Sequence, residues 1–230
     1  MKKSKIFSLF AVIILAVSIN AQELSVGSDF VSRYVWRGAD FGNTFSIQPG
    51  IGFSASGFEV GAWGSYPLTT TSNGSEELDL YASYSAELGN SGSLSVLVTD
   101  YFFPNNGLKI GNYDDPGAHT IEAGLSYGGP DSFPISLSAY MNVYNDDDNT
   151  VYFEAGYSTA LQDVACDFFV GGTPGGDAGY YGTTEFNLIN VGLTLSKDIK
   201  ITEDFSLPVF GSYILNPNTE VSFLVFGVSL

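Results

Sequence analysis

Residues 78–88 alternate without a break, Leu78, Leu80, Ala82, Tyr84, Ala86 and Leu88 interleaving with Asp79, Tyr81, Ser83, Ser85 and Glu87. A period of two puts the first set on one face of a β-strand and the second on the other. The pattern returns with Ile135, Leu137, Ala139, Met141 and Val143 against Ser136, Ser138, Tyr140, Asn142 and Tyr144. It returns again with Ile121, Ala123, Leu125 and Tyr127 against Thr120, Glu122, Gly124 and Ser126. Helical spacing occurs nowhere with comparable strength, so the chain reads as all-β.

Twelve strands follow from this period, near residues 23–37, 44–54, 57–66, 76–88, 93–103, 118–127, 134–144, 150–159, 162–171, 185–196, 204–215 and 219–230. Connections after the even strands are mostly tight, as at Ala55-Ser56 and Ala160-Leu161, whereas those after odd strands are longer and more polar, as at residues 104–117 and 172–184. Short turns on one rim and long loops on the other are the asymmetry of an antiparallel transmembrane β-barrel, whose strands need about nine to eleven tilted residues to cross a bilayer. A soluble β-sandwich also alternates. Against it stands the composition: 14% charged residues are outnumbered by 15% aromatics, where a soluble domain carries roughly 25% charged. Tyr34, Trp36, Phe45, Phe53, Phe58, Tyr66, Phe102, Tyr127 and Phe153 share the outward parity near strand ends, where aromatic girdles form.

The first 21 residues stand apart. Lys2, Lys3 and Lys5 precede an apolar run and then Ala21, the form of a cleaved secretory signal peptide, leaving residues 22–230 as one barrel domain. Setting the leader aside leaves five basic residues against 25 acidic ones, a formal charge of −20. That excess argues against nucleic acid and suits a solvated acidic surface, cations or divalent-bridged lipopolysaccharide. The destination expected is the outer membrane of a Gram-negative bacterium, with membrane lipid, lipopolysaccharide and small solutes as partners. Residues 219–230 end the last strand with Leu224, Phe226, Val228 and Leu230 facing outward, the strand on which a barrel would close.

Two early segments carry a resemblance. Ser32, Tyr34, Arg37 and Gly38 form a Ser-x-Tyr-x-x-Arg-Gly segment, and Ser56, Gly57, Phe58, Gly61, Trp63 and Ser65 a Ser-Gly-Phe-x-x-Gly-x-Trp-x-Ser segment. Together they resemble the TorF-type porin family of uncharacterised bacterial outer-membrane proteins. The resemblance covers roughly the first quarter of the mature chain and implies a barrel and a pore, with no established substrate. Ala39-Asp40-Phe41-Gly42 replaces the Gln-Thr-like stretch that usually follows the Arg-Gly pair.

Inward parity assigns charges to the lumen. Arg33 and Arg37 are expected opposite Asp79, Glu122, Glu154 and Asp167 in the middle or outer half of the barrel, with Tyr34 and Trp36 facing lipid. Such an array either filters solutes by sign or braces a narrow barrel with ion pairs. The function expected is a narrow channel for small solutes, cation-preferring because carboxylates predominate. The alternative is a non-conducting structural or surface-binding barrel.

Catalysis is not expected. His119, the only histidine, has outward parity near the long-loop rim beside Asp100, but no outward serine accompanies it as a lipid hydrolase would need. Residues 145–149, Asn-Asp-Asp-Asp-Asn, lack the spacing and glycine of a calcium loop and read as a solvated acidic turn. Cys166 has no companion and reads as a small apolar residue. No cofactor or metal site is expected.

Overall fold

The computed structural model describes residues 22–69, 76–114, 116–177 and 179–230. The expected leader lies outside these residues. In chain order the strands are β1 (Gln22–Val31), β2 (Val35–Trp36), β3 (Ala39–Asp40), β4 (Ser46–Ala55), β5 (Phe58–Pro67), β6 (Glu77–Glu87) and β7 (Ser93–Phe102). They continue as β8 (His119–Gly128), β9 (Ile135–Tyr144), β10 (Val151–Leu161), β11 (Val164–Thr173), β12 (Asn187–Lys200), β13 (Ser206–Asn216) and β14 (Val221–Ser229).

Twelve of these close into an antiparallel barrel, sequence neighbours pairing throughout and β14 returning to β1. Closure is carried by Asp29 opposite Ser229, Phe30 opposite Val228 and Val31 opposite Gly227. All twelve expected strands are present. The alternation fixes their faces: Leu80, Val96, Val98, Leu125, Leu137 and Met141 lie exposed on the outside, while Asp79, Thr99, Glu122 and Asn142 are buried in the lumen. No helix among the described residues is long and apolar enough to cross a membrane.

The rims differ as the loop lengths require. Ser56 and Gly57 join β4 to β5 with φ of 51° and 85°, the two positive values of a type I′ hairpin turn that suits the strand twist. The described residues of the long connections, 103–114 and 116–118 between β7 and β8 and 174–177 and 179–186 between β11 and β12, lie at the opposite rim.

The first strand is shorter than its alternation predicts. It ends at Val31, and although Ser32 still exchanges hydrogen bonds with Phe226 of β14, the chain then turns into the barrel. Val35 and Trp36 pair with Asp40 and Ala39 as a two-stranded hairpin separate from the wall. Tyr34 and Trp36 therefore do not face lipid. Their alternation with Arg33 and Arg37 is that of a hairpin inside the lumen, where rings pack on rings.

A plugged lumen as candidate functional site

Arg37 and Gly38 form the hairpin tip, with φ of 47° and 75°. Glycine accepts such values freely, whereas an arginine there is strained by about 1–2 kcal/mol and persists only when its surroundings hold it. The surroundings do so. Arg37 Nη1 and Nη2 donate to Glu122 Oε2 and Oε1 at 2.5 and 2.9 Å, a bidentate pair whose side chains are 8% and 3% exposed. Nη1 also donates to Tyr181 Oη at 2.7 Å. The guanidinium stacks over Trp36, Tyr140 and Tyr152 at 4.3, 4.6 and 4.4 Å from their ring centroids, and Tyr101 Oη donates to Glu122 Oε1 at 3.0 Å.

The far side of the tip meets the opposite wall. Between Gly171 and Gly172 of β11 the pairing with β12 shifts register, leaving Ile189 fully buried. A Cβ on Gly38 would fall 1.9 Å from the Ile189 carbonyl oxygen, so only glycine allows this approach. Asn216 Nδ2 of β13 donates to the Gly38 carbonyl at 3.2 Å. On the near side, Tyr34 Oη donates to Glu77 Oε1 at 3.3 Å, and the Tyr34 ring packs against Trp63 of β5 and Phe41 at centroid distances of 5.4 and 5.6 Å. The hairpin thus touches β5, β6, β8, β12 and β13, and its aromatic rings meet Tyr101 of β7 and Tyr181 of the 174–186 loop. It crosses the lumen from wall to wall.

The charged residues assigned to the lumen are brought together only in part. Arg37 and Glu122 meet as a pair across the lumen. Arg33 does not stand opposite the wall carboxylates; it pairs with Asp40 of its own hairpin at 3.1 Å and donates to Asn43 at 2.8 Å, because the chain has already left the wall. Glu154 is held by Asn190 Nδ2 at 3.0 Å and by the Tyr152 hydroxyl, without an arginine. Asp167 lies toward the short-turn rim, accepting from Ser158 Oγ at 2.6 Å, away from the plug. Asp79 is 7% exposed beside Glu77 at 3%; the two carboxyls hydrogen-bond each other, and no other donor reaches Glu77 Oε2 or Asp79 Oδ1. Glu77 escaped the sequence reading because it opens its strand. Its place two residues before Asp79, on the same face, was the available signal.

The two motif segments prove to be one structural unit. Trp63 of the second supports Tyr34 of the first, while Gly61 leaves room for the Tyr81 ring, whose Cζ lies 2.4 Å from where a Cβ would stand. Ser65 is 1% exposed near Gln48, and Phe58 lies outside, its ring 4.5 Å from that of Tyr84.

His119 keeps its outward position but is only 2% exposed, because Ile110 and Tyr113 of the connection between β7 and β8 lie over it. Its Nδ1 lies 2.7 Å from Asp100 Oδ1 and its Nε2 2.8 Å from the Ile110 carbonyl. Phe102 and Tyr113 stack on its two faces at 5.2 and 3.8 Å. Burial, with the Asp100 hydrogen bond, pushes the Tyr113 hydroxyl up to about 12. His119 therefore fastens a loop to the outer wall, at the rim position beside Asp100 that its parity assigns. Replacing it with alanine removes both bonds and the stack, a local loss of about 1–3 kcal/mol. Trypsin cleavage at Lys109, within this loop, is expected to speed up about tenfold or more, with barrel mobility on gels unchanged.

The acidic turn is organised internally. Asp146 accepts from Asn142 Nδ2 at 2.7 Å and from the Thr150 and Asp148 amides at 3.2 Å each. Burial opposes ionisation of Asp146, but these donors outweigh it and hold the carboxyl below its ordinary value. The described residues contain no group of three or more metal-ligating side chains.

Fold and site together define a twelve-stranded closed β-barrel with a hairpin inserted in its lumen. The chain belongs to Gcw_chp, a family of bacterial proteins of unknown function, whose model matches residues 16–204. No curated protein matches the chain.

Proposed function

We propose that this protein is an outer-membrane β-barrel whose lumen is held shut near its long-loop rim by the inserted hairpin, serving as a structural or ligand-binding barrel and not as an open channel. The observation that carries this reading is the buried, bidentate Arg37–Glu122 pair at the hairpin tip. A constriction that leaves a water path would hydrate such a pair, whereas this one is enclosed by five aromatic residues, Trp36, Tyr101, Tyr140, Tyr152 and Tyr181. Membrane residence is supported by the outer face: a belt of exposed leucines, valines and aromatics on every part of the barrel wall would be insoluble in water and is what hydrocarbon accepts. The motif resemblance to TorF-type porins points the same way as to location.

Channel function with cation preference is the second reading. It is favoured by Glu59, Glu77 and Asp79 on the lumen side of β5 and β6, and it requires the hairpin to move. Planar-bilayer recording separates the two. The wild-type barrel is expected to insert without steady conductance; a steady, cation-selective current from it would reinstate the channel.

A further inference from the structure

Beneath the plug lies a cavity of about 590 Å³ that runs along the inward faces of β5, β6 and β7. Tyr34, Trp36 and Trp63 line its plugged end with Asp79, and Glu59 stands on its wall. Below them the lining turns to small hydroxyls, Ser83, Ser85 and Ser95, toward the short-turn rim, where Ser85 is already exposed.

The chemistry of this cup is one-sided. The two arginines that leave the wall are both committed elsewhere, Arg37 to Glu122 on the other side of Trp36 and Arg33 to Asp40. Glu77 and Asp79 are nine-tenths buried, their carboxyls hydrogen-bond each other, and no other donor reaches Glu77 Oε2 or Asp79 Oδ1. Two buried carboxyls set against each other with no cation beside them are costly and call for an explanation. Aromatic faces beside carboxylates are the surroundings in which an organic ammonium group is held, through cation–π attraction and charge-assisted hydrogen bonds. A bare metal ion fits less well, since it needs a shell of six or more oxygens at about 2.3–2.6 Å, and the described residues bring no three metal-ligating side chains together.

The geometry points to a binding site for a small organic amine, entered from the short-turn rim, with its ammonium at Asp79 under the Tyr34, Trp36 and Trp63 rings. Glu59, which accepts from Tyr81 Oη at 2.8 Å, stands farther along the cup and can meet a second ammonium or hydroxyl. This inference rests on the inserted hairpin of the proposed barrel and adds the class of ligand the closed lumen takes.

The chain's two tryptophans are Trp36 and Trp63, and both line the cup, so intrinsic fluorescence reads occupancy directly. Titrating the folded barrel in detergent with 1,4-diaminobutane should change the emission saturably, and 1,4-butanediol, its uncharged analogue, should not. Asp79→Asn or Glu59→Gln should weaken the diamine at least tenfold with unboiled gel mobility retained. Ser83→Arg, which places a tethered cation in the cup, should abolish the response and keeps the test decisive if Asp79→Asn fails to fold. An equal response to butanediol or to calcium chloride, no saturable response at all, or undiminished diamine affinity in folded Ser83→Arg overturns the assignment. Binding in detergent is read without a membrane or a current, so a conducting wild type would refute the closed lumen and leave this result intact.

Discussion

Arg37→Ala is expected to lower barrel stability by about 3–5 kcal/mol and to release a current that the wild type lacks. The size follows from what remains. Glu122 is 3% exposed, and without the guanidinium it keeps only the Tyr101 hydroxyl, so a buried charge loses most of its compensation. Three ring contacts of the guanidinium vanish as well. Alanine at a φ of 47° keeps the backbone strain that arginine bears, so the hairpin retains its cost and loses its anchor. The expected readouts are a lower temperature for the loss of heat-resistant gel mobility and steady conductance in planar bilayers. That conductance should prefer cations, because removal of Arg37 leaves Glu122 and the carboxylates of β6 facing the opened path. Arg37→Ala combined with Glu122→Ala should cost less than the two single changes added together, since neither charge is then left alone. Additive costs would show that the pair does not clamp the hairpin.

Period two carried most of the architecture into the sequence. In β6 and β9 every second residue is apolar and every other one polar, so a one-residue error of register would have turned carboxylates into the outer surface. The strand count and the two kinds of rim therefore followed from alternation and turn composition. The hairpin did not, for a specific reason. Arg33, Arg37 and the intervening Tyr34 and Trp36 also alternate, and period two cannot distinguish a strand in the wall from one folded inside it. The overlooked signal was Arg37-Gly38 itself. A residue followed by glycine between two short segments is a two-residue turn, and it falls too soon after Val31 for β1 to reach the rim and return. Ile189 was hidden for a different reason, because its burial depends on a register shift opposite Gly171 and Gly172 that local composition does not mark. Asp167 lies nearer the short-turn rim than strand counting alone puts it, whereas Glu122 is buried in the lumen against Arg37.

Val98→Arg should destabilise the barrel by about 2–4 kcal/mol, while Ser83→Arg at the same level should cost little. The two sites differ in face and hardly in depth. Val98 pairs with Ala82 and Ala123 near the middle of β7 and is exposed on the outside. No carboxylate stands directly opposite it, and Asp100, two residues along the same face, is already held by His119 and Tyr113, so in lipid its guanidinium would have to snorkel to an interface or draw water inward. Leu80 is a poorer test because Asp100 stands directly opposite it and would pair with an introduced arginine. Ser83 neighbours Ala82 but points into the lumen, where it lines the acidic cup, and a cation there meets water and carboxylates. Urea titrations of the barrel refolded in lipid vesicles measure both. A large loss at position 98 with near-neutrality at 83 is the result expected if the outer face meets hydrocarbon. Equal tolerance at the two positions would mean that water surrounds this barrel, and the membrane assignment would fall with it.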